Sequence, residues 1–500
     1  MSVHETIHGA NGVPDDGGVL RTALRWDYAP APEATDHVRI AERYDLFING
    51  RFVAPSDGSV RATINPANED ALAEVACAGD ADIDAAVAAA AAALPRWAAL
   101  PALERGKYLF RIARLMQERA RELAIVESLD GGKPIREARD IDIPLAAAHF
   151  FYYAGWADKL AYVTAGRDVG PQGVCAQIVP WNFPLLMAAW KLAPALACGN
   201  VAILKPAETT PLTALLLAEI CQEAELPAGV VAVLPGDGHT GAALVRHPGV
   251  HKVAFTGSTA VGKEIQAALA GRDVGLTLEL GGKSANIVFE DAAIDQAVEG
   301  IVSGIFFNQG HVCCAGSRLL VQESVLEEVV EKLWSRMQRL RIGDPLDKNT
   351  DIGAINSAEQ LARIQSLVAD GEREGAQRRT IPGALPERGF WFAPTLFTDV
   401  APAHRIAVEE IFGPVLSVLT FRTQAEAIEK ANATVYGLAA GIWTDKGAKA
   451  FEVASALRSG VVWQNTYNHF DPTAAFGGYR ESGFGREGGA AGLRPYLRFS

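Results

Sequence analysis

The sequence predicts an α/β fold built on parallel sheets. Two observations carry this reading. Between residues 175 and 257, four short apolar runs (CAQIVP, VAILKP, VVAVLPG and HKVAFTG) alternate with segments of helical period. From about residue 282 a second series begins with SANIVFE, a helix through a cysteine motif and SRLLVQESV, then later strands around Phe392, Val415 and Val461. Runs that are apolar throughout belong to strands covered by helices on both faces.

The elements follow in order. Residues 1–44 are polar and punctuated by Gly and Pro, a leader partly ordered against the body and ending in a short charged helical stretch. DLFINGRFV, residues 45–53, reads as a hairpin turning at Asn49–Gly50. Asn65–Pro66 marks a further turn. An Ala-rich helix starts near Asp82, the cap candidate, with Asp84 in its first turn near the positive end. A second helix runs through ERGKYLFRIARLMQERARELA, and an aromatic helix covers residues 148–162. Helices at 185–197, 210–224 and 237–247 connect the strands of the first series.

Composition narrows the function. A formal net charge of −13 argues against an extended basic surface for nucleic acid. The uncharged stretch 169–190 is interrupted by Gly, Pro and Asn, so no membrane span is expected there. The first thirty residues lack the apolar core of a signal peptide. Six cysteines in 500 residues do not make a disulfide framework. Cys77, Cys175, Cys198 and Cys221 read as buried thiols, and the cytoplasm is the expected compartment. No CxxC, HExxH or Cys/His cluster predicts a metal site.

The chemistry concentrates in three places. FFNQGHVCCAGSR, residues 306–318, holds adjacent Cys313 and Cys314 in a Gly-rich loop read as opening toward a helix, whose N-terminus lowers a thiol pKa. One of the two should point into a cleft and the other into packing; the residues alone do not say which. Glu279 follows the strand-like LTLEL and precedes Gly281–Gly282, a flexible pair that makes it a mobile carboxylate for a thiol or a water. Asn182, between Trp181 and Phe183 in PWNFP, either serves an oxyanion or shapes a turn.

Nucleotide signals accompany these. There is no GxGxxG in the first α/β series. FTGSTAVGKEI instead places Gly257 and Gly262 at a strand-to-helix junction, where Ser258 and Thr259 either cap the helix or meet a phosphate. Lys205 and Glu208 lie just past a strand end, where ligands sit in open α/β sheets. A carboxylate there accepts both ribose hydroxyls and repels a 2′-phosphate, which favours NAD over NADP. As two solvated loop charges the pair would mean nothing.

Taken in order, PWNFPLLMAAWKLAPALACGN, KPAETTP, FTGSTAVGK, LELGGKSANIV, NQGHVCCAG, EEIFGPV and FGGYRESGFGREGG resemble the NAD(P)-dependent aldehyde dehydrogenase superfamily from about Asp45 to Tyr496. The resemblance implies a Rossmann-type NAD-binding domain from residues 45–150 and 173–281. It also implies an α/β catalytic domain over 282–482 and a small β oligomerisation arm from 151–172 and 483–500. It implies Cys313 as nucleophile, Asn182 and the Cys313 backbone N–H as oxyanion donors, and Glu279 as the activator of water, so that a thioester on Cys313 is hydrolysed. NAD would be held by Ile178, Pro180, Trp181, Lys205, Glu208, Gly257, Ser258, Glu410 and Phe412. An aldehyde tunnel would be walled by Phe183, Met187, Trp190, Phe470 and Phe476, which suits an apolar aliphatic or aromatic aldehyde. If Asp471, beside Phe470, faced the tunnel, an amino-aldehyde would fit instead. Further alternatives are a coenzyme A-acylating dehydrogenase, a cysteine esterase or hydrolase, and a non-catalytic scaffold.

Two expectations concern assembly. Oligomeric members extend past the Tyr496 position by a strand that pairs with a hairpin, here about residues 161–174. PYLRFS leaves almost no residues for it, so that strand is expected to be short or absent, with a homodimer formed through helices of the cofactor domain. YAPAPEA and NQGHVCCAGSRLLVQESV are similar to family-16 aldehyde dehydrogenases, which implies a second dehydrogenase-like domain in a longer parent protein.

Overall fold

The computed structural model describes residues 29–499. Tyr28 and most of the expected leader lie outside the described residues. Within residues 29–45 there is no helix where a short charged one was expected. Instead Pro32 bridges Asp347, and the strand Arg43–Tyr44 pairs with Ala71–Ala76. The carboxylate of buried Glu33 fixes this stretch by pairing with Arg121 and Lys348.

An eight-stranded sheet organises the first half. Its order is Gly483–Phe484, Gly275–Glu279, Lys252–Thr256, Val174–Ile178, Val201–Lys205, Val231–Val233, Leu46–Ile48 and Arg51–Val53. The central strands run parallel and are buried along their length, which is why they read as unbroken apolar runs. At one edge lies the predicted hairpin, whose Asn49 and Gly50 both take positive φ (52° and 75°) as a tight two-residue turn requires. The register aligns Ile178 with Lys205 and Phe255, and Thr256 with Glu279. One carboxyl edge therefore presents Ile178, Lys205, Thr256 and Glu279 side by side.

A seven-stranded sheet builds the second half, ordered Gln377–Thr380, Thr395–Thr398, Val415–Phe421, Arg318–Gln322, Ala285–Val288, Ala439–Trp443 and Val461–Gln464. All pairs are parallel except at the Gln377–Thr380 edge. Phe392 precedes its strand, which starts at Thr395.

Three local expectations are corrected. The helix Asp80–Ala99 begins two residues before Asp82; Asp82 sits in its first turn and accepts from the Gly79 and Ser56 N–H groups, so it ties the helix start from inside. The long second helix is two, Ala102–Glu118 and Ala120–Gly131, broken at Arg119, whose guanidinium reaches Glu122, Glu219 and Glu223. Residues 161–174 are not a hairpin: a helical turn, Leu160–Thr164, precedes one strand, Val169–Pro171. That strand does pair with a C-terminal one, Leu497–Phe499, of three residues. Among the described residues no single helix is long and apolar enough to cross a membrane.

Candidate active site

The cysteine motif is a loop between the short helix Phe307–Gly310 and the strand Arg318–Gln322. No helix follows Cys313, so the expected lowering of its thiol by a helix N-terminus is absent. Asn308, Gln309 and Gly310 take successive left-handed conformations and turn the chain sharply. A β-carbon on Gly310 would fall 2.1 Å from the Gly413 carbonyl oxygen, so only glycine fits there. Cys313 is half-buried, and Cys314 is 1% exposed with its sulfur near Asn468 and its carbonyl accepting from the Tyr467 hydroxyl (2.8 Å). The thiol of Cys313 is pushed well above its ordinary range, first by its contact with Cys314 and then by burial. It rests as a thiol and must lose a proton before it attacks.

Glu279, at the carboxyl edge of the first sheet, lies in the same cavity. Its carboxylate is buried without a hydrogen-bond partner among the described residues. Burial and then the neighbouring Glu487 hold its pKa well above the usual range, against the pull of Lys191 and Arg486. The glycines after it do not serve as a free hinge. A β-carbon on Gly281 would lie 2.3 Å from the Glu410 carboxylate, and one on Gly282 would lie 2.4 Å from the Cys313 carbonyl oxygen. Their absence of side chains lets three functional segments touch.

Asn182 lies just before the buried helix Pro184–Ala197, which Pro184 can start because the first helical N–H needs no partner. Its Nδ2 donates to the His311 carbonyl at 2.7 Å. The amide carries two hydrogens, so a second is available to a ligand.

Cys313, Glu279, Asn182, Glu410 and Phe412 line one cavity of about 450 Å³, together with all five predicted tunnel residues. Its aromatic wall is a cluster: Trp190 lies edge-on to Phe476 (5.5 Å) and Phe470 (6.3 Å), and Phe183 stacks on Phe307 (6.1 Å). Ile141, Leu145 and Phe307 complete it, none of them singled out from sequence. His469 and Asp471 are exposed and lie outside the lining, and Asp471 is engaged by Thr473 (2.8 Å to its N–H). The acidic contact imagined for an amino-aldehyde is therefore missing.

A second cavity of about 630 Å³ adjoins the first across Pro180, Trp181, Gly257 and Ser258. Ile178, Lys205 and Glu208 line it. Lys205 is buried with its ammonium 3.4 Å from the half-exposed Glu208 carboxylate. Ser258 caps the helix Thr259–Leu269, accepting from the Val261 N–H (3.3 Å). Gly257 packs on the Phe255 ring, where a β-carbon would sit at 2.5 Å. Glu410 is half-buried and accepts from the Gly282 N–H (3.0 Å), and desolvation pushes its carboxyl to about 7.

These residues fit NAD. A carboxylate beside a buried ammonium at a strand end suits the hydroxyls of one ribose, and the helix start suits a diphosphate. Glu410 offers a second acceptor beside the cysteine. Gln360 and Arg363, which sequence reasoning missed, hold its loop: Gln360 donates to the Ile411 and Phe412 carbonyls (3.1 and 2.9 Å) and Arg363 to that of Glu410 (3.0 Å). Also missed was the pair Lys191–Glu487, both buried and ion-paired beside Glu279. A lysine in so apolar a helix was the available signal, since a buried charge requires a partner.

Comparison with known proteins accords with this geometry. The family model described as the aldehyde dehydrogenase family matches residues 52–500. Human retinal dehydrogenase 2 is 46% identical over 465 residues, covering 90% of each chain. The NAD+ complex of an aldehyde dehydrogenase from Bacillus cereus superposes with a TM-score of 0.89 at 43% identity, covering 92% of this chain and 96% of that one. An indole-3-acetaldehyde dehydrogenase with NAD+ gives 0.89 at 41% identity, covering 93% and 97%. The chain belongs to the aldehyde dehydrogenase family and is an NAD-dependent enzyme that oxidises an aldehyde through a cysteine nucleophile.

Proposed function

We propose that Cys313 is that nucleophile, that Asn182 and Glu279 complete the catalytic set, and that the substrate is an apolar aliphatic or aromatic aldehyde. The observation that carries the reading is the convergence of Cys313, Glu279, Asn182 and Glu410 on one cavity with an aromatic wall.

The Cys313 thiol gives its proton to water, and attack of the resulting thiolate on the aldehyde carbon forms a thiohemiacetal, with negative charge developing on the former carbonyl oxygen. The second hydrogen of Asn182 Nδ2 and the backbone N–H of Cys313 receive it. When the oxyanion collapses, re-forming the C=O bond, the thiohemiacetal carbon loses its hydrogen as hydride, and NAD held by these residues would supply the acceptor for it. Glu208 and Lys205 would hold one ribose and Glu410 the other, and Trp181 and Phe412, edge to face at 5.2 Å, would border the nicotinamide ring. A thioester remains on Cys313. Glu279, once ionised, takes a proton from water, whose oxygen attacks the thioester carbon; the C–S bond breaks, the departing Cys313 sulfur receives that proton from Glu279, and the carboxylic acid is released. A carboxylate so placed supports hydrolysis over acyl transfer to coenzyme A.

Burial of Phe183, Trp190, Phe470 and Phe476 faces against a substrate favours an apolar chain or ring. Two relatives are named for retinal and indole-3-acetaldehyde, aldehydes of that kind. We also propose a homodimer formed through helices of the cofactor domain. Six free thiols accord with a reducing, cytoplasmic setting.

The test replaces Cys313 and Cys314 separately by Ala and follows NADH formation with a medium-chain aldehyde. Loss of activity in Cys313→Ala with retention in Cys314→Ala is expected. Full activity in Cys313→Ala would overturn the assignment.

A further inference from the structure

Asn182 is tied to its surroundings at both ends. Its side chain donates to the His311 carbonyl at 2.7 Å. Its own carbonyl accepts two buried donors, Asn308 Nδ2 at 2.8 Å and Lys133 Nζ at 3.1 Å. His311 and Asn308 belong to the turn that carries Cys313. Lys133 comes from a separate place, the residue after Gly132, which ends the helix Ala120–Gly131 in a left-handed conformation (φ 77°). Lys133 is 1% exposed.

The rest of the Lys133 ammonium shell faces the tunnel. It is ion-paired with buried Asp142 and lies 4.2 Å from the ring centre of Phe183. Both Asp142 and Phe183 line the reaction cavity. Asn308 is fixed in turn, its N–H donating to Glu137 at 2.9 Å. Burial raises Glu137 to about 8 and Glu127 to about 7, so the cluster does not hold three full negative charges against one lysine at neutral pH.

A buried lysine is costly unless its contacts serve something. An oxyanion donor must be held to within about half an ångström of its working position. An asparagine anchored only through its side chain could swing about its own backbone, whereas a charge-assisted bond to its carbonyl removes that freedom.

We propose that Lys133, with Asn308, is a positioning residue for the oxyanion amide, clamping the Asn182 carbonyl so that Nδ2 is aimed at the carbonyl oxygen of the substrate. This rests on the assignment of Asn182 as the oxyanion donor. Lys133 touches neither substrate nor cofactor and acts through Asn182. Because the same ammonium carries Phe183 and Asp142, the clamp also joins the tunnel wall to the oxyanion site.

A double-mutant cycle tests it. Lys133→Met should lower kcat by about tenfold or more, as displacements of roughly 1 Å do in active sites, with KM for NAD little changed. Lys133→Arg should recover part of the loss. In an Asn182→Ala background, Lys133→Met should change kcat by no more than about twofold, the mark of a residue acting through the one already removed. Equal losses in both backgrounds, or wild-type kcat in Lys133→Met, would overturn the clamp. Wild-type kcat in Asn182→Ala alone would instead overturn the oxyanion role on which it rests. Should Lys133→Met fail to fold by its melting curve, Asn308→Ser enters the same cycle, with the same non-additivity expected and additivity overturning the proposal.

Discussion

Lys191 and Glu487 form a buried ion pair, Glu487 lines the reaction cavity, and the charge of Glu487 is one reason that Glu279 holds its proton. Glu279 must be ionised to activate water, so the hydrolytic step speeds up as pH rises through its pKa. Glu487→Gln removes the negative neighbour and leaves Lys191 without its carboxylate partner. Both changes favour ionised Glu279, and the acid limb of the kcat profile should move to lower pH. An unmoved limb in a folded variant would show that Glu487 does not act on Glu279. Stability depends on the same proton. A carboxyl whose folded pKa exceeds its ordinary value of 4.5 weakens the fold as pH climbs above that value. The melting temperature of Glu279→Gln relative to the parent should therefore grow as pH rises above the ordinary carboxyl value of 4.5.

Glu410 should make coenzyme affinity pH-dependent. Burial raises its carboxyl to about 7. Below that pH it is neutral and a poorer acceptor for ribose hydroxyls, so KM for NAD should rise as pH falls through about 7. Glu410→Gln should flatten this dependence. A KM for NAD that is level across this range in the parent enzyme would remove Glu410 from the cofactor site.

Glu208 should set the choice of coenzyme. Its carboxylate, beside Lys205, repels a 2′-phosphate. Glu208→Ala should shift the NAD-to-NADP ratio of kcat/KM toward NADP by on the order of tenfold, ~1.4 kcal/mol. An unchanged ratio would refute the ribose role.

Gly282 is held by contact. Gly282→Ala places a β-carbon 2.4 Å from the Cys313 carbonyl oxygen and should cost activity by about a hundredfold through displacement of the nucleophile loop. Gly155→Ala is the control: it sits on the exposed face of the helix Ile143–Trp156, with nothing within 4 Å of its β-carbon. It should leave activity intact and stabilise by about 0.5–1 kcal/mol. If the two variants behave alike in assays, the close approach at Gly282 is not what constrains that residue.

Much of this was legible in the sequence, for identifiable reasons. Strands covered on both faces leave apolar runs, and the strands within those runs and LTLEL end at Ile178, Lys205, Thr256 and Glu279, which the parallel register aligns. Asn49–Gly50 read as a turn because its two positive φ values suit few residue types. The errors arose where distant contacts decide. Arg119 is not a helix-breaking residue type, yet the helix ends there, where its guanidinium joins nearby Glu122 to Glu219 and Glu223 of the helix Leu212–Glu223. The Gly-rich loop around Cys313 reads as opening toward a helix, whereas Gly310 answers to the backbone of Gly413 and no helix follows Cys313. Lys133, Lys191, Glu487, Gln360 and Arg363 were missed since each works through a partner far away in the chain.

The central claim is that the acyl group rides on Cys313 until Glu279 releases it. Glu279→Gln mixed with NAD and a medium-chain aldehyde should form NADH in a single turnover and retain an acyl adduct. Fragment-ion mass spectrometry of the peptide holding Cys313 and Cys314 reads its position directly. The account predicts the acyl mass on Cys313 with Cys314 free; an adduct on Cys314, or NADH formation with no adduct on either sulfur, would contradict it.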